Sequence, residues 1–202
     1  MKARSHSSSF TLVEMLVVLS VIALLFGMLG VHLATARERA RRIQCLNNLR
    51  QIGLAVKQYA LDHEDRFPDN ISGSDNTVTD HINLLSNALG NTAVIFKCPS
   101  DQGRIATNYI TSMMDGNVSY CYVRRLNDNM NIDTPLAFDR SLSGQTENHL
   151  LTNLAGVAWA TSAPHKLEGG NLLFAGAQAA WAVTFPSSMG SATDTNRVCS
   201  PD

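Results

Sequence analysis

The sequence predicts an α+β fold in which one long N-terminal helix packs on a small antiparallel β-sheet. The first proline of the 202-residue chain is Pro68, so no proline interrupts the helical pattern that begins near Phe10. Short segments with alternating apolar and polar residues follow, separated by Gly, Pro and Asn, a pattern typical of β-strands and turns. These observations predict a helix over 10–61 and strands after it.

The first half of the predicted helix is apolar. Its 22 residues from Phe10 to Val31 match the length of about 20 residues that spans a bilayer. Lys2 and Arg4 precede the segment, and we expect a retained anchor because the helical pattern continues beyond it. Glu14 lies at the start of this segment, where an unpaired carboxylate costs on the order of 2–3 kcal/mol.

The second half of the helix is amphipathic. Its apolar residues recur every three or four positions, so one face is predicted to be buried. The members of this stripe are Ile43, Leu46, Leu49, Ile52, Val56 and Tyr59. The basic residues predicted to point elsewhere are Arg39, Arg42, Arg50 and Lys57. Gly53 is expected only to soften the helix, at about 1 kcal/mol relative to Ala.

Charge is distributed unevenly along the chain. Six basic residues stand against one acidic residue between Ala34 and Lys57, whereas 15 acidic residues stand against eight basic ones from Asp62 to Asp202. The basic segment favours contact with lipid phosphates or with acidic residues of neighbouring molecules. Nucleic-acid binding is the less favoured alternative.

The rest of the chain is predicted to form the sheet and its connections. Pro68 ends the helix, residues 69–81 form a loop, and 81–90 form a short helix closed by Gly90. Strands are predicted in "AVIFKCPSD", in 118–126, in "TPLAFDR", and at 171–174 and 178–184, the last two joined by a turn at Ala175-Gly176. The tail from Pro186 is predicted to be flexible.

The four cysteines, Cys45, Cys98, Cys121 and Cys199, include no C-x-x-C pair, so a zinc ribbon is not expected. An exported head would allow one or two disulfides, and we predict Cys98 with Cys121 first. A small buried thiol is an equally good interpretation of Cys45, which lies on the helix among apolar neighbours.

The sequence contains no motif of catalysis, and no cofactor is predicted. "HEDRF" at 63–67 lacks the second histidine of a zinc peptidase helix, and the histidines show no helical pairing, so no metal site is predicted. The acidic residues of the first loop are Asp62, Glu64, Asp65, Asp69, Asp75 and Asp80. Their spacing differs from a calcium-binding EF-hand, so Ca²⁺ is the weaker interpretation and a solvated loop the stronger one.

"SFTLVEMLVVLSVIALL" closely resembles the prepilin N-terminus of type IV pilins and type II secretion pseudopilins. The resemblance implies a leader over 1–9, cleavage between Ser9 and Phe10, and N-methylation of Phe10. It also implies that Glu14 pairs with the N-terminal amine of a neighbouring subunit and sets assembly register. Ser9 departs from the family, which usually has Gly before the cut.

Three later segments, "FKCPSD", "SYCYV" and "HKLEGGNLLFAGAQAAW", resemble the heads of planctomycete and verrucomicrobial pseudopilin-like proteins. These often carry a histidine, nine residues and then Asp-Gly. Here His165 and nine residues precede Ala175-Gly176, so any ion binding or turn capping by that aspartate is not expected. We expect His165 itself at a turn or on the surface.

The two resemblances imply a lollipop-shaped pilin-like subunit: leader 1–9, filament-core helix 10–31, amphipathic helix 32–65 and head 66–202. Its function would be structural, in a type II secretion pseudopilus or type IV pilus-like filament, and not enzymatic. The implied partners are prepilin peptidase, other pilin subunits, an inner-membrane platform protein and an assembly ATPase, with the head in the periplasm. The alternatives are a membrane-anchored periplasmic binding protein that forms no filaments and an anchored periplasmic enzyme.

Overall fold

The predicted α+β class is confirmed by a computed structural model, which describes residues 10–69, 77–143, 154–187, 198–199 and 201. A long N-terminal helix, α1 (Leu12–Asp62), is followed by a small five-stranded antiparallel sheet. Chain contacts define two compact units, Met1–Ala40 and Arg41–Asp202. The second unit, which we call the head, contains the sheet and the last part of α1.

The sheet has the strand order β4-β3-β2-β1-β5, with every neighbouring pair antiparallel. The strands are β1 (Tyr120–Val123), β2 (Pro135–Asp139), β3 (Gly170–Phe174), β4 (Ala179–Ala182) and β5 (Val198–Cys199). β1 to β4 confirm predicted strands, and β3 and β4 form the predicted hairpin. β5 corrects the prediction of a flexible tail at Val198 and Cys199, because both are buried and pair with β1.

The predicted strand in "AVIFKCPSD" is wrong, since Val94–Phe96 forms a 3-10 helix. Phe96 is buried in the core, while the N–H of Ala93 donates to the carbonyl of Asn108. The segment therefore bonds to a neighbouring loop instead of to a strand. Within the described residues, Ile110–Ser112, Asp115–Asn117 and Lys166–Glu168 also form 3-10 helices.

The helix predicted at 81–90 begins earlier and is shorter. It is α2 (Val78–Asn83), and turns follow it as far as Asn91; Gly90 in these turns has a φ of +58°. The backbone N–H of Thr77 donates to Asp80 Oδ2 at 3.0 Å, which caps α2 and fixes its start.

The buried face of α1 in the head is displaced from the predicted stripe. Its buried apolar residues are Cys45, Leu49, Ile52, Ala55, Val56 and Ala60. The prediction is confirmed for Leu49, Ile52 and Val56 and wrong for Ile43, which is 60% exposed. Cys45 lies about one helical turn before Leu49 and so shares its face, whereas Ile43 does not.

Two basic side chains of α1 contact the head instead of pointing away from it. Arg42 forms an ion pair with Glu168, and its guanidinium lies 4.4 Å from the ring centroid of Trp181. Lys57 forms an ion pair with Asp128. The sequence prediction for both residues is wrong because the folded head brings acidic and aromatic partners to the helix.

Gly53 lets α1 approach the β3–β4 hairpin closely. A Cβ atom at this position would lie 2.7 Å from Leu173 Cδ1 and 3.1 Å from the Cα of Ala177. The glycine therefore has a packing role in addition to the softening that the sequence predicts.

The N-terminal part of α1 exposes its apolar side chains. From Phe10 to Met28 the large apolar side chains are 42–80% exposed. Among the described residues no single straight helix qualifies as a membrane span, and the segments Leu12–Met28 and Leu33–Asp62 qualify by length and composition only when taken together. So much exposed apolar surface indicates a lipid or protein partner.

We expect Gly53→Ala to destabilise the head by about 1–3 kcal/mol, the usual cost of overpacking. This loss should outweigh the gain of about 1 kcal/mol in helix propensity. Denaturant titration of the full chain in detergent measures the free energy of unfolding. Gly27→Ala is the matched control, because a Cβ there meets nothing within 4 Å. Unchanged or increased stability of Gly53→Ala would contradict the close approach.

Candidate functional site

Glu14 and Thr11 form a capping box at the start of α1. The backbone N–H and the hydroxyl of Thr11 both donate to Glu14 Oε2, at 2.8 and 2.7 Å. The N–H of Glu14 donates in return to Thr11 Oγ1 at 3.3 Å. Reciprocal bonds of this kind satisfy backbone donors that a helix start leaves unpaired. The sequence signal is Thr-x-x-Glu directly before an apolar run, and our sequence analysis missed it.

The capping box gives Glu14 a role within its own subunit. Both hydrogen bonds from Thr11 fall on Oε2, so Oε1 can accept a further donor without breaking the cap. Phe10, the predicted first residue of the mature chain, is 73% exposed immediately before this cap. Ser9 and the rest of the predicted leader lie outside the described residues.

The disulfide of the head joins Cys45 to Cys98, so the predicted Cys98–Cys121 pairing is wrong. Cys45 lies on the buried face of α1, and Cys98 follows the 3-10 helix Val94–Phe96. Asn48 Nδ2 of α1 also donates to the carbonyl of Lys97 at 3.3 Å. Cys121 instead lines a small apolar cavity between α1, α2 and β1 and takes part in no disulfide. The bond therefore fastens α1 to the segment that follows α2.

His165 is buried beside this disulfide and not at the surface as expected. Its side chain has no exposed area, and Nε2 lies 3.4 Å from Cys98 Sγ. Nε2 also accepts a hydrogen bond from Asn171 Nδ2 at 3.2 Å and lies 3.8 Å from Asp139 Oδ2. The fold thus gathers groups that are distant in the sequence into one buried polar cluster, formed by Cys45, Cys98, Asp139, His165 and Asn171.

Asp139 is the acidic member of this cluster and is fully buried at the end of β2. Its Oδ2 accepts hydrogen bonds from the backbone N–H of Asn171 at 2.6 Å and from Asn171 Nδ2 at 3.0 Å. Burial raises the pKa of Asp139 to about 7, although the bonds from Asn171 oppose this rise. In the part of the chain that the structure describes, its Oδ1 has no hydrogen-bond donor.

A second buried acid, Asp101, forms a two-point ion pair with Arg140. Arg140 Nε donates to Oδ2 at 2.7 Å and Nη2 donates to Oδ1 at 3.0 Å. Burial alone would raise the pKa of Asp101, but the hydrogen bonds and charge of Arg140 outweigh it and hold that pKa below its ordinary value. The pair ties the turn after Cys98 to the end of β2.

The acidic residues of the first loop have separate local contacts. Glu64 pairs with Arg66 at 2.6 Å, and Asp69 Oδ1 lies 3.8 Å from His81 Nδ1. Asp80 caps α2, and Asp75 lies outside the described residues. These positions favour the solvated-loop interpretation over a calcium site. An open groove of about 760 Å³ beside this loop has both acidic and basic residues in its wall.

Two protein families match the chain. Residues 4–30 match the prokaryotic N-terminal methylation motif, and residues 34–90 match a family described as a protein of unknown function (DUF1559). Comparison with curated proteins and with solved structures finds no match. The first match covers Phe10 and Glu14, and the second begins in α1 and reaches the turns after α2.

These matches and the fold support a pilin-like or pseudopilin-like protein. The methylation motif implies processing by a prepilin peptidase and assembly with other pilin subunits. The hydrophobic helix that carries the motif indicates membrane anchoring. Both families point to a structural protein and not to a class of enzyme.

We expect peptide mapping of the non-reduced protein to recover Cys45 linked to Cys98. Cys45→Ser should lower the free energy of unfolding by about 4 kcal/mol, because this bond closes a loop of 53 residues. Cys121→Ser is the matched control and should leave the linked peptides in place. Recovery of a Cys98–Cys121 peptide would contradict the assignment.

We expect Asp101→Asn to destabilise the head by about 3–5 kcal/mol, since it leaves Arg140 buried without its charged partner. Asp128→Asn breaks the more exposed pair with Lys57 and should cost no more than about 1 kcal/mol. Because the pKa of Asp101 lies below its ordinary value, the wild-type contribution should be present at neutral pH and lost as the pH falls below about 4. Equal losses for the two variants at neutral pH would contradict the buried pair.

Proposed function

We propose that this chain is a structural subunit of a type II secretion pseudopilus or a type IV pilus-like filament. Prepilin peptidase cuts between Ser9 and Phe10 and methylates the new amine. The mature subunit crosses the inner membrane once, with its head in the periplasm. An inner-membrane platform protein and an assembly ATPase then move it into the filament.

The observation that carries the proposal is the exposed apolar helix that lies within a methylation motif. The motif covers residues 4–30, and the large apolar side chains from Phe10 to Met28 are 42–80% exposed. Lipid can cover this surface before assembly, and the equivalent helices of other subunits can cover it afterwards. Both environments are apolar, so the transfer between them leaves the helix buried throughout.

The capping box supports a double role for Glu14. In the unassembled subunit the two Thr11 donors stabilise its carboxylate and make its position at the membrane edge tolerable. In the filament the α-amine of Phe10 from a neighbouring subunit approaches Oε1. The cap stays intact during this step, because both Thr11 bonds end on Oε2.

We expect Glu14→Gln to abolish filament incorporation without loss of the helix cap. Gln retains a side-chain oxygen for the Thr11 donors but has no charge for the neighbouring amine. Thr11→Val is the matched variant, because it removes the capping hydroxyl, both as donor to Oε2 and as acceptor from the Glu14 N–H, and leaves the charge of Glu14 in place. Sheared filaments and membranes, probed separately for the chain, measure incorporation in each case.

If Glu14→Gln enters filaments at the level of the wild type, Glu14 acts through the cap alone, and its proposed role in setting the assembly register is overturned. The alternative of an anchored binding protein without filaments predicts that the wild-type chain stays in the membrane fraction. That result would overturn the filament proposal as a whole. Equal membrane levels of all variants control for folding and insertion.

A further inference from the structure

The buried polar cluster contains a set of potential metal ligands. Cys45 Sγ, Cys98 Sγ and one ring nitrogen of His165 all lie within 4.8 Å of one another. All three residues are buried, at 0, 0 and 3% exposure. Across the described residues this is the one group of three or more His, Cys, Asp or Glu side chains that meets this distance.

The distance between His165 and Cys98 matches an edge of a tetrahedral zinc site. Zn–S and Zn–N bonds of about 2.3 and 2.0–2.1 Å place neighbouring ligand atoms about 3.4–3.8 Å apart. Nε2 of His165 lies 3.4 Å from Cys98 Sγ and 3.8 Å from Asp139 Oδ2. The two bonded sulfurs have to separate for both to bind one cation, which reduction of the disulfide allows.

The histidine tautomer and a nearby buried carboxylate also fit a metal. Because Asn171 Nδ2 donates to His165 Nε2, this nitrogen carries a lone pair. A cation would replace Asn171 as the partner of this lone pair, and Asn171 Nδ2 would keep its hydrogen bond to Asp139 Oδ2. Asp139 supplies a fully buried carboxylate next to it, and its Oδ1 has no donor within the described segments. An unsatisfied buried carboxylate oxygen is costly, and a cation beside it would offset that cost.

We propose that the reduced chain binds one thiophilic divalent cation, such as Zn²⁺, through Cys45, Cys98 and His165, with the buried Asp139 carboxylate beside the site to offset the charge of the cation. Binding releases one proton from each thiol. A small-molecule or protein disulfide can then take two electrons from the thiolates, which forms the Cys45–Cys98 bond, releases the cation and leaves the oxidant as two thiolates that take up protons from water. The head thus has two alternative cross-links at one position.

Cobalt binding to the full chain in detergent tests this proposal. The chain is prepared under reducing conditions and kept reduced with a phosphine, and Co²⁺ is added as a spectroscopic substitute for Zn²⁺. We expect one Co²⁺ per reduced chain, with tetrahedral d–d bands and a thiolate-to-cobalt charge-transfer band. Zn²⁺ should displace it, and the oxidised chain should show neither band.

Variants assign the ligands. Cys98→Ser should weaken the charge-transfer band because one of the two thiolates is lost, and His165→Gln should weaken binding at least about tenfold. Cys199→Ser is the matched control, since Cys199 Sγ lies 3.6 Å from another buried histidine, His81, and its spectrum should equal that of the wild type. X-ray absorption of the zinc-loaded wild-type chain, which needs no variant to fold, should show two sulfur and two nitrogen or oxygen ligands.

Three results would overturn the proposal. One is a reduced wild-type chain without the thiolate bands, and the second is equal cobalt binding by the oxidised chain. The third is a zinc shell without two sulfur ligands. None of these results bears on filament assembly, so the proposed function is tested separately.

Discussion

The apolar surface of α1 from Phe10 to Met28 is the constraint on which the account of this protein depends. Its large side chains are 42–80% exposed, and an apolar helix in that state requires lipid or other helices. The acidic residue of this segment, Glu14, lies at its start, where two hydrogen bonds from Thr11 stabilise the carboxylate. An apolar environment around the rest of the segment is therefore compatible with this charge. A chain built in this way suits a membrane-anchored subunit that later assembles.

The head meets the opposite requirement, because the same helix must be firmly fixed there. The disulfide between Cys45 and Cys98 links α1 covalently to the segment after α2, and Gly53 allows α1 to contact the β3–β4 hairpin closely. Arg42 and Lys57 add ion pairs to Glu168 and Asp128 at its sides. The part of α1 after Ala40 is therefore an integral element of the head and not a linker to it.

Local patterns were sufficient to predict the helix and four of the five strands. The helix follows from a continuous stretch without proline before Pro68, and the strands follow from alternation within 118–126 and 171–184. Each of these signals lies in contiguous residues and needs no knowledge of the tertiary structure. The buried polar cluster could not be predicted in this way, because Cys45, Cys98 and His165 meet only through the packing of α1 on the sheet. Likewise β5 is two residues long and has no pattern of its own. The capping box is different, since Thr11 and Glu14 carry a readable signal.

The most direct test of the central claim is the intact mass of the protein purified from native membranes. The account predicts a chain that begins at Phe10 and carries one N-terminal methyl group. Such a mass would establish that the apolar helix starts at a processed pilin-type N-terminus. A chain that still begins at Met1 would contradict the account.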